Sequence, residues 1–157
     1  MRKQLSKKEI KELISEIEEK FGITELLSKK DNVVREDSFL KVNEKIIFFY
    51  NNEQLIPTLK LIISLGDKLS KTNIKKIIVD MGAIKFVING ADIMRPGITE
   101  IEEGINKDNF VVILDEQHKK PLAIGISLMN SEELKAANSG KVIKNIHFVG
   151  DDTWKSS

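Results

Sequence analysis

The sequence predicts an α+β protein: a small α+β domain over residues 1–73, then a small closed or nearly closed β structure over 74–157. Three observations carry this. Residues 6–20 have a strong helical period, the second half alternates many short strands with helices of one or two turns, and the polar stretch GDKLSKTNI at 66–74 separates the two. With 157 residues, 41% of them hydrophobic, the chain can bury a core in one domain or two small ones.

Taken in order, Ile10, Leu13, Ile14, Ile17 and Phe21 fall on one helical face. Ser6 and Glu9 make a capping box, and Gly22 ends the helix. Lys8–Glu12 and Glu16–Lys20 are four apart on the wet side. Residues 32–36, 39–42 and 45–50 are rich in β-formers, with turn signals at Asn43-Glu44 and Asn51-Asn52. Gln54 to Pro57 predicts a return strand that closes a hairpin, and TLKLIISL a short helix.

The second half opens with a strand at 76–80 and about two helical turns over 83–88, with Gly90 as a left-handed exit. Ala91 to Met94 reads as extended, and Pro96-Gly97 as a turn. Residues 110–114 and 122–128 are strands around the polar loop DEQHKKP. In the second of these, bulky Leu122, Ile124, Ile126 and Leu128 alternate with small Ala123, Gly125 and Ser127, a pattern that lets another backbone approach closely. Asn130 and Glu133 predict a capped helix to about Ala137, and 141–149 a last strand.

Composition excludes several functions. The absence of cysteine removes disulfides, thiolate metal sites and cysteine nucleophiles, and with no export signal points to the cytoplasm. No apolar run is long enough to span a bilayer. His118 and His147 are the only histidines, with no carboxylate spacing that would complete a zinc site. No phosphate-binding glycine motif and no nucleophile elbow occurs, so neither a cofactor nor a catalytic residue is expected. Asp80, at a strand end, reads as an acid or base or, more simply, as a cap on the following turn. The net charge is +1, split as +2 over 1–73 and −1 over 74–157, so any nucleic-acid site must be a local patch.

The stretch VDMGAIKFVINGADIMRPGI at 79–98 is apolar yet carries three glycines and only Lys85 and Arg95 as cations. Glycine serves tight entry to and exit from a short helix. It also allows backbone N–H groups at Gly90 to Asp92 to lie open beside Lys85 and Arg95, where phosphate oxygens or a base can settle.

This stretch resembles the signature of the PUA domain: V-D-x-G-A, a short helix, G-A-[DN]-[IV]-M and P-G-[IL]. LAIGISLMNSEEL, GKVIKNIHFVGDDTW and LIPTLKLI narrow the resemblance to the malignant T-cell-amplified-sequence family and its archaeal relatives, which place a small α+β domain before the PUA domain. The resemblance implies a PUA β-pseudobarrel of about six strands. It implies non-catalytic binding of structured RNA, tRNA or rRNA, near an acceptor end or helix end. It further implies action in translation on the small ribosomal subunit, with a density-regulated-like protein partner. Carried over by position, the RNA face is Lys85, Asn89, Gly90, Ala91, Asp92, Met94 and Arg95, with Lys144 and His147. Two other readings stand beside it. One is an RNA-modification enzyme or accessory. The other is a protein-interaction adaptor, with Trp154 and Phe48-Phe49-Tyr50 as anchors or as core.

Overall fold

A computed structural model describes all residues from Met1 to Ser157. Two compact units emerge: Met1–Ile74 with Ser156–Ser157, and Lys75–Lys155.

In the first unit, strands β1 (Arg2–Gln4), β2 (Val33–Glu36), β3 (Phe39–Val42), β4 (Lys45–Asn51) and β5 (Gln54–Pro57) form an antiparallel meander in chain order. Helix α1 (Lys7–Phe21) buries Ile10, Leu13, Ile17 and Phe21, with the Phe21 ring stacked on Phe48 at 5.8 Å. The capping box forms as expected: Ser6 Oγ accepts from the Glu9 N–H, and Glu9 accepts from the Ser6 N–H. Hydrogen bonds from Lys3 and Ser6 hold the Glu9 carboxyl down at about 2. Gly22 exits left-handed at φ +70°. Of the two pairs expected on α1, Glu16–Lys20 forms at 2.9 Å.

The β3–β4 and β4–β5 turns place both central residues at positive φ: Asn43 and Glu44, then Asn52 and Glu53. Two left-handed residues between antiparallel strands suit the twist of a hairpin. The second turn is therefore Asn52-Glu53, one residue beyond the expected Asn51-Asn52. Phe48 and Phe49 are core residues. Helix α2 (Leu59–Leu65), capped by Thr58, runs into a 3-10 turn at Gly66–Lys71, so most of the polar stretch expected to separate the domains is structured. Strand β1 was not foreseen. All three of its residues are exposed, so no apolar alternation marks it.

In the second unit, β6 (Lys76–Val79), β7 (Ile93–Met94), β8 (Ile98–Ile101), β9 (Phe110–Asp115), β10 (Pro121–Ser127) and β11 (Lys141–Phe148) form one sheet in the order β7-β11-β10-β9-β6-β8. Only β6 and β9 pair in parallel. The two edge strands, β7 and β8, are joined by just Arg95–Gly97. From Met94 to Ile98 an extended chain reaches at most about 14 Å. A flat six-stranded sheet would hold its outer strands about 24 Å apart. The sheet must therefore roll, and the expected nearly closed β structure results.

Ile77, Val79, Val111, Ile113, Val142 and Ile143 lie in its core, each fully buried, joined by Leu134 from α4 (Ser131–Ala136). Asn130 and Glu133 form the second capping box. Strand β8 and the final helix α5 (Asp152–Ser156) were not anticipated. At the end of β9 the buried Asp115 carboxylate accepts from the His118 and Lys120 N–H groups of the β9–β10 loop. Burial pushes its pKa up, but these bonds outweigh that and leave it lowered.

At Gly125 the register between β10 and β11 shifts. A Cβ there would lie 2.4 Å from Ile143 Cγ2 and 2.9 Å from the Lys144 carbonyl oxygen. At Gly125 the small face of β10 is thus required by the close approach of β11, as its alternation predicts. Gly125→Ala is expected to destabilise the protein by about 1–3 kcal/mol through overpacking. Urea unfolding should show a lower midpoint at unchanged slope.

Candidate nucleic-acid interface

The glycine-rich stretch builds one continuous surface. Strand β6 stops at Val79, and Asp80 Oδ1 accepts from the Ala83 N–H at 2.9 Å. Asp80 is thus a cap. A 3-10 turn at Met81–Ala83 then leads into α3 (Ile84–Val87). Beyond α3, the Gly90 N–H bonds to the Val87 carbonyl and the Ala91 N–H to the Phe86 carbonyl, both at 3.0 Å. Gly90 has φ +89°, and a Cβ on it would sit 2.9 Å from the Phe148 ring. Left-handed backbone and an aromatic wall both demand glycine here.

These bonds correct the expectation of open amides at Gly90 and Ala91. The Gly90 and Ala91 N–H groups are spent on the end of α3, because a helix terminus leaves carbonyls that the exit must satisfy. Three more of the expected contact residues have structural work. Arg95 is half-buried, with Nε donating to the Leu134 carbonyl at 2.6 Å and a terminal nitrogen to the Ile98 carbonyl at 3.2 Å. Its cation is directed at α4 and β8 rather than outward beside the glycine loop. Asp92 accepts from the Asn145 N–H at 2.9 Å and faces Lys141 Nζ at 3.4 Å. His147 is fully buried, with Nδ1 2.9 Å from Asp151. Asp151 also accepts from the Phe148 and Trp154 N–H groups, so the C-terminal motif is a lock that starts α5.

Other residues do reach the surface. Lys85, Asn89, Ala91, Met94 and Lys144 are exposed, and Asn89 donates its side-chain amide back to the Lys85 carbonyl. Phe86 is 58% exposed and Met94 51%. Together with Gly82, Ala83, Ala91 and Pro96 they line a groove of about 680 Å³, which Asp80, Asp92 and Lys141 also border. Lys85 Nζ lies 5.2 Å from the centre of the Phe86 ring. The groove has small residues where a flat ring could lie and an aromatic face beside it. Phe86 was missed by the sequence reading, although a signal was present. Ile84 and Val87, three apart, claim the buried face of α3, and Phe86 falls on the other side.

A rolled six-stranded sheet with this capped turn, short helix and glycine exit defines a PUA domain, and the PUA domain family model matches residues 75–149. Residues 1–65 match a domain of unknown function (DUF1947). The uncharacterized protein MJ1432 of Methanocaldococcus jannaschii is 45% identical over 156 residues, covering 96% of this chain and 93% of that protein. Malignant T-cell-amplified sequence 1 of Rattus norvegicus is 33% identical over 141 residues, covering 84% of this chain and 75% of its own. The crystal structure of hypothetical protein PH0734.1 from Pyrococcus horikoshii has a TM-score of 0.81 at 36% identity, covering 99% of this chain and 98% of that one. The chain belongs to the malignant T-cell-amplified-sequence family of PUA-domain proteins.

Two outcomes follow from the buried groups. Arg95→Ala is expected to cost about 1–3 kcal/mol of stability, from the loss of charged hydrogen bonds to two carbonyls. Thermal unfolding measures it. Burial lowers the His147 pKa below 6.5, and the Asp151 carboxylate opposes this only in part. The unfolded chain therefore binds the proton first. His147 costs no stability above pH 6.5 and draws it down as pH falls from there toward the folded value. His147→Gln should flatten that limb in melting temperatures taken between pH 7.5 and 5.5.

Proposed function

We propose that this protein is a non-catalytic RNA-binding factor of translation, acting in the cytoplasm. Its PUA domain contacts a tRNA acceptor end or small-subunit rRNA, and a density-regulated-like protein is a partner on the ribosome. The observation that carries the reading is the groove. Phe86 and Met94 stand exposed beside small residues, with Lys85 next to the aromatic face. An unstacked base can lie on such a face whatever its identity. Lys85 supplies a phosphate contact at its edge, and the exposed Lys144 on β11 another. Among the relatives are proteins named translation machinery-associated protein 20, one from Schizosaccharomyces pombe being 35% identical over 144 residues and supporting the link to translation.

Few cations lie here, and Asp80 and Asp92 border the groove. The grip is therefore by shape and stacking more than by charge. Binding should depend only moderately on salt, and each lost phosphate contact should be visible in that dependence.

Titration of fluorescent tRNA and of small-subunit rRNA fragments tests the reading. Phe86→Ala is expected to weaken binding by about 1–3 kcal/mol at unchanged salt slope. Lys85→Ala should reduce the slope by about 0.7. Unchanged binding in both variants would refute this placement of the site. If the wild type captures protein but no RNA from native lysate, the exposed apolar face serves a protein-interaction adaptor instead. Appearance of modified nucleosides after incubation with tRNA would favour the modification reading.

A further inference from the structure

Asn145 lies on β11, outside the glycine-rich stretch, yet three of its bonds reach into it. Its side-chain amide donates to the Val87 carbonyl and to the Ala91 carbonyl, each at 3.0 Å. Its backbone N–H donates to Asp92 Oδ1 at 2.9 Å. The two carbonyls bracket the loop that follows α3, one at the last helical residue and one just past Gly90. Strand pairing cannot do this job. The β7–β11 ladder pairs Ile143 with Ile93 and Lys141 with Met94. Before Ile93 the chain lies outside the ladder, and the Asp92 and Asn145 side chains replace the missing ladder bonds.

The orientation of the amide is determined. Reversed, it would set its oxygen against two carbonyl oxygens. As placed, Asn145 Oδ1 is buried and has no hydrogen-bond partner. Leaving a buried acceptor unpaired carries a cost, and it is tolerated here where the same side chain makes both loop contacts. Phe148, also on β11, presses on Gly90 from the same strand. Asp92 is braced in turn by Lys141, again on β11.

The geometry assigns Asn145 as the positioning residue of the groove: it pins the 87–92 loop to β11 and so sets where Phe86 and Ala91 stand relative to Met94. This rests on the RNA-binding reading above, and it adds a residue that touches no ligand. A residue of this kind changes affinity through geometry, so its loss should leave the number of phosphate contacts alone.

The test pairs Asn145→Ala with Asn145→Asp, which has the same shape but sets carboxylate oxygens against the two carbonyls. Two readouts are taken on the full chain: amide hydrogen exchange, and titration of the tRNA and rRNA probes across salt. In both variants, exchange at Gly90 and Ala91 should rise about tenfold or more, as the bonds bracketing them are lost. Exchange in the β9–β10 ladder should stay as in the wild type. RNA affinity, read on the neutral Asn145→Ala because Asn145→Asp adds a negative charge, should fall about tenfold at unchanged salt slope. Should Asn145→Ala fail to fold, the neutral Asn145→Ser takes its place in both readouts. Unaltered exchange at Gly90 and Ala91 overturns the pin, whatever the RNA does. Faster exchange there with unchanged RNA affinity overturns the positioning role. A reduced salt slope in the neutral variant would make Asn145 part of a phosphate contact and overturn it as well. If the wild type binds neither RNA, the RNA reading falls, while the exchange rates still decide whether Asn145 holds the loop.

Discussion

The second unit depends on one short covalent constraint. Its two edge strands, β7 and β8, stand at opposite ends of the strand order but are separated by only three residues of chain. Those residues cannot bridge a flat sheet. The sheet therefore rolls until its edges meet at Arg95–Gly97, and the molecule secures that point heavily. The Asp80 N–H donates to the Gly97 carbonyl, the Arg95 N–H to the Gly140 carbonyl, and the Arg95 guanidinium to Leu134 and Ile98. Strand β6, helix α4 and the start of β11 are all drawn to it. The groove lies against this seam, since Met94, Pro96 and Gly97 form one side of it.

A second consequence concerns polar side chains. Where a rolled sheet turns sharply, backbone groups lose their ladder partners, and buried ones must find others. Asp80, Asp92, Asn145 and Asp151 supply them. Residues that look chemically available in a motif are consumed in this way. What is left facing solvent is apolar or small: Phe86, Met94, Ala91. Lys85 and Lys144 add sparse positive charge to a unit whose net charge is −1. Such a surface suits a ligand with flat faces and tolerates little dependence on ionic attraction.

The legibility of the sequence followed from which forces act locally. Helix α1, both capping boxes, the glycine exits and the small face of β10 were readable, because each depends on residues within a turn or two, or on a simple alternation. Strands β1 and β8 and helix α5 were not. Arg2–Gln4 is wholly exposed, the two central residues of Ile98–Ile101 are exposed, and α5 buries no residue fully. Their places are set by hydrogen bonding to partners distant in sequence, which leaves no periodic trace.

The site divides along the same line. By itself the sequence determined that residues 79–98 form a strand, a short helix and a glycine exit, because backbone freedom and capping are properties of near neighbours. The tertiary structure alone decided which side chains of that stretch are available. Arg95 and His147 read as contacts and became internal ties. Phe86 had no part in the expected contact face and became the exposed aromatic face of the groove. Asn145 came to hold a loop 54 residues before it. The direction a side chain takes depends on carbonyls and rings that only folding brings near.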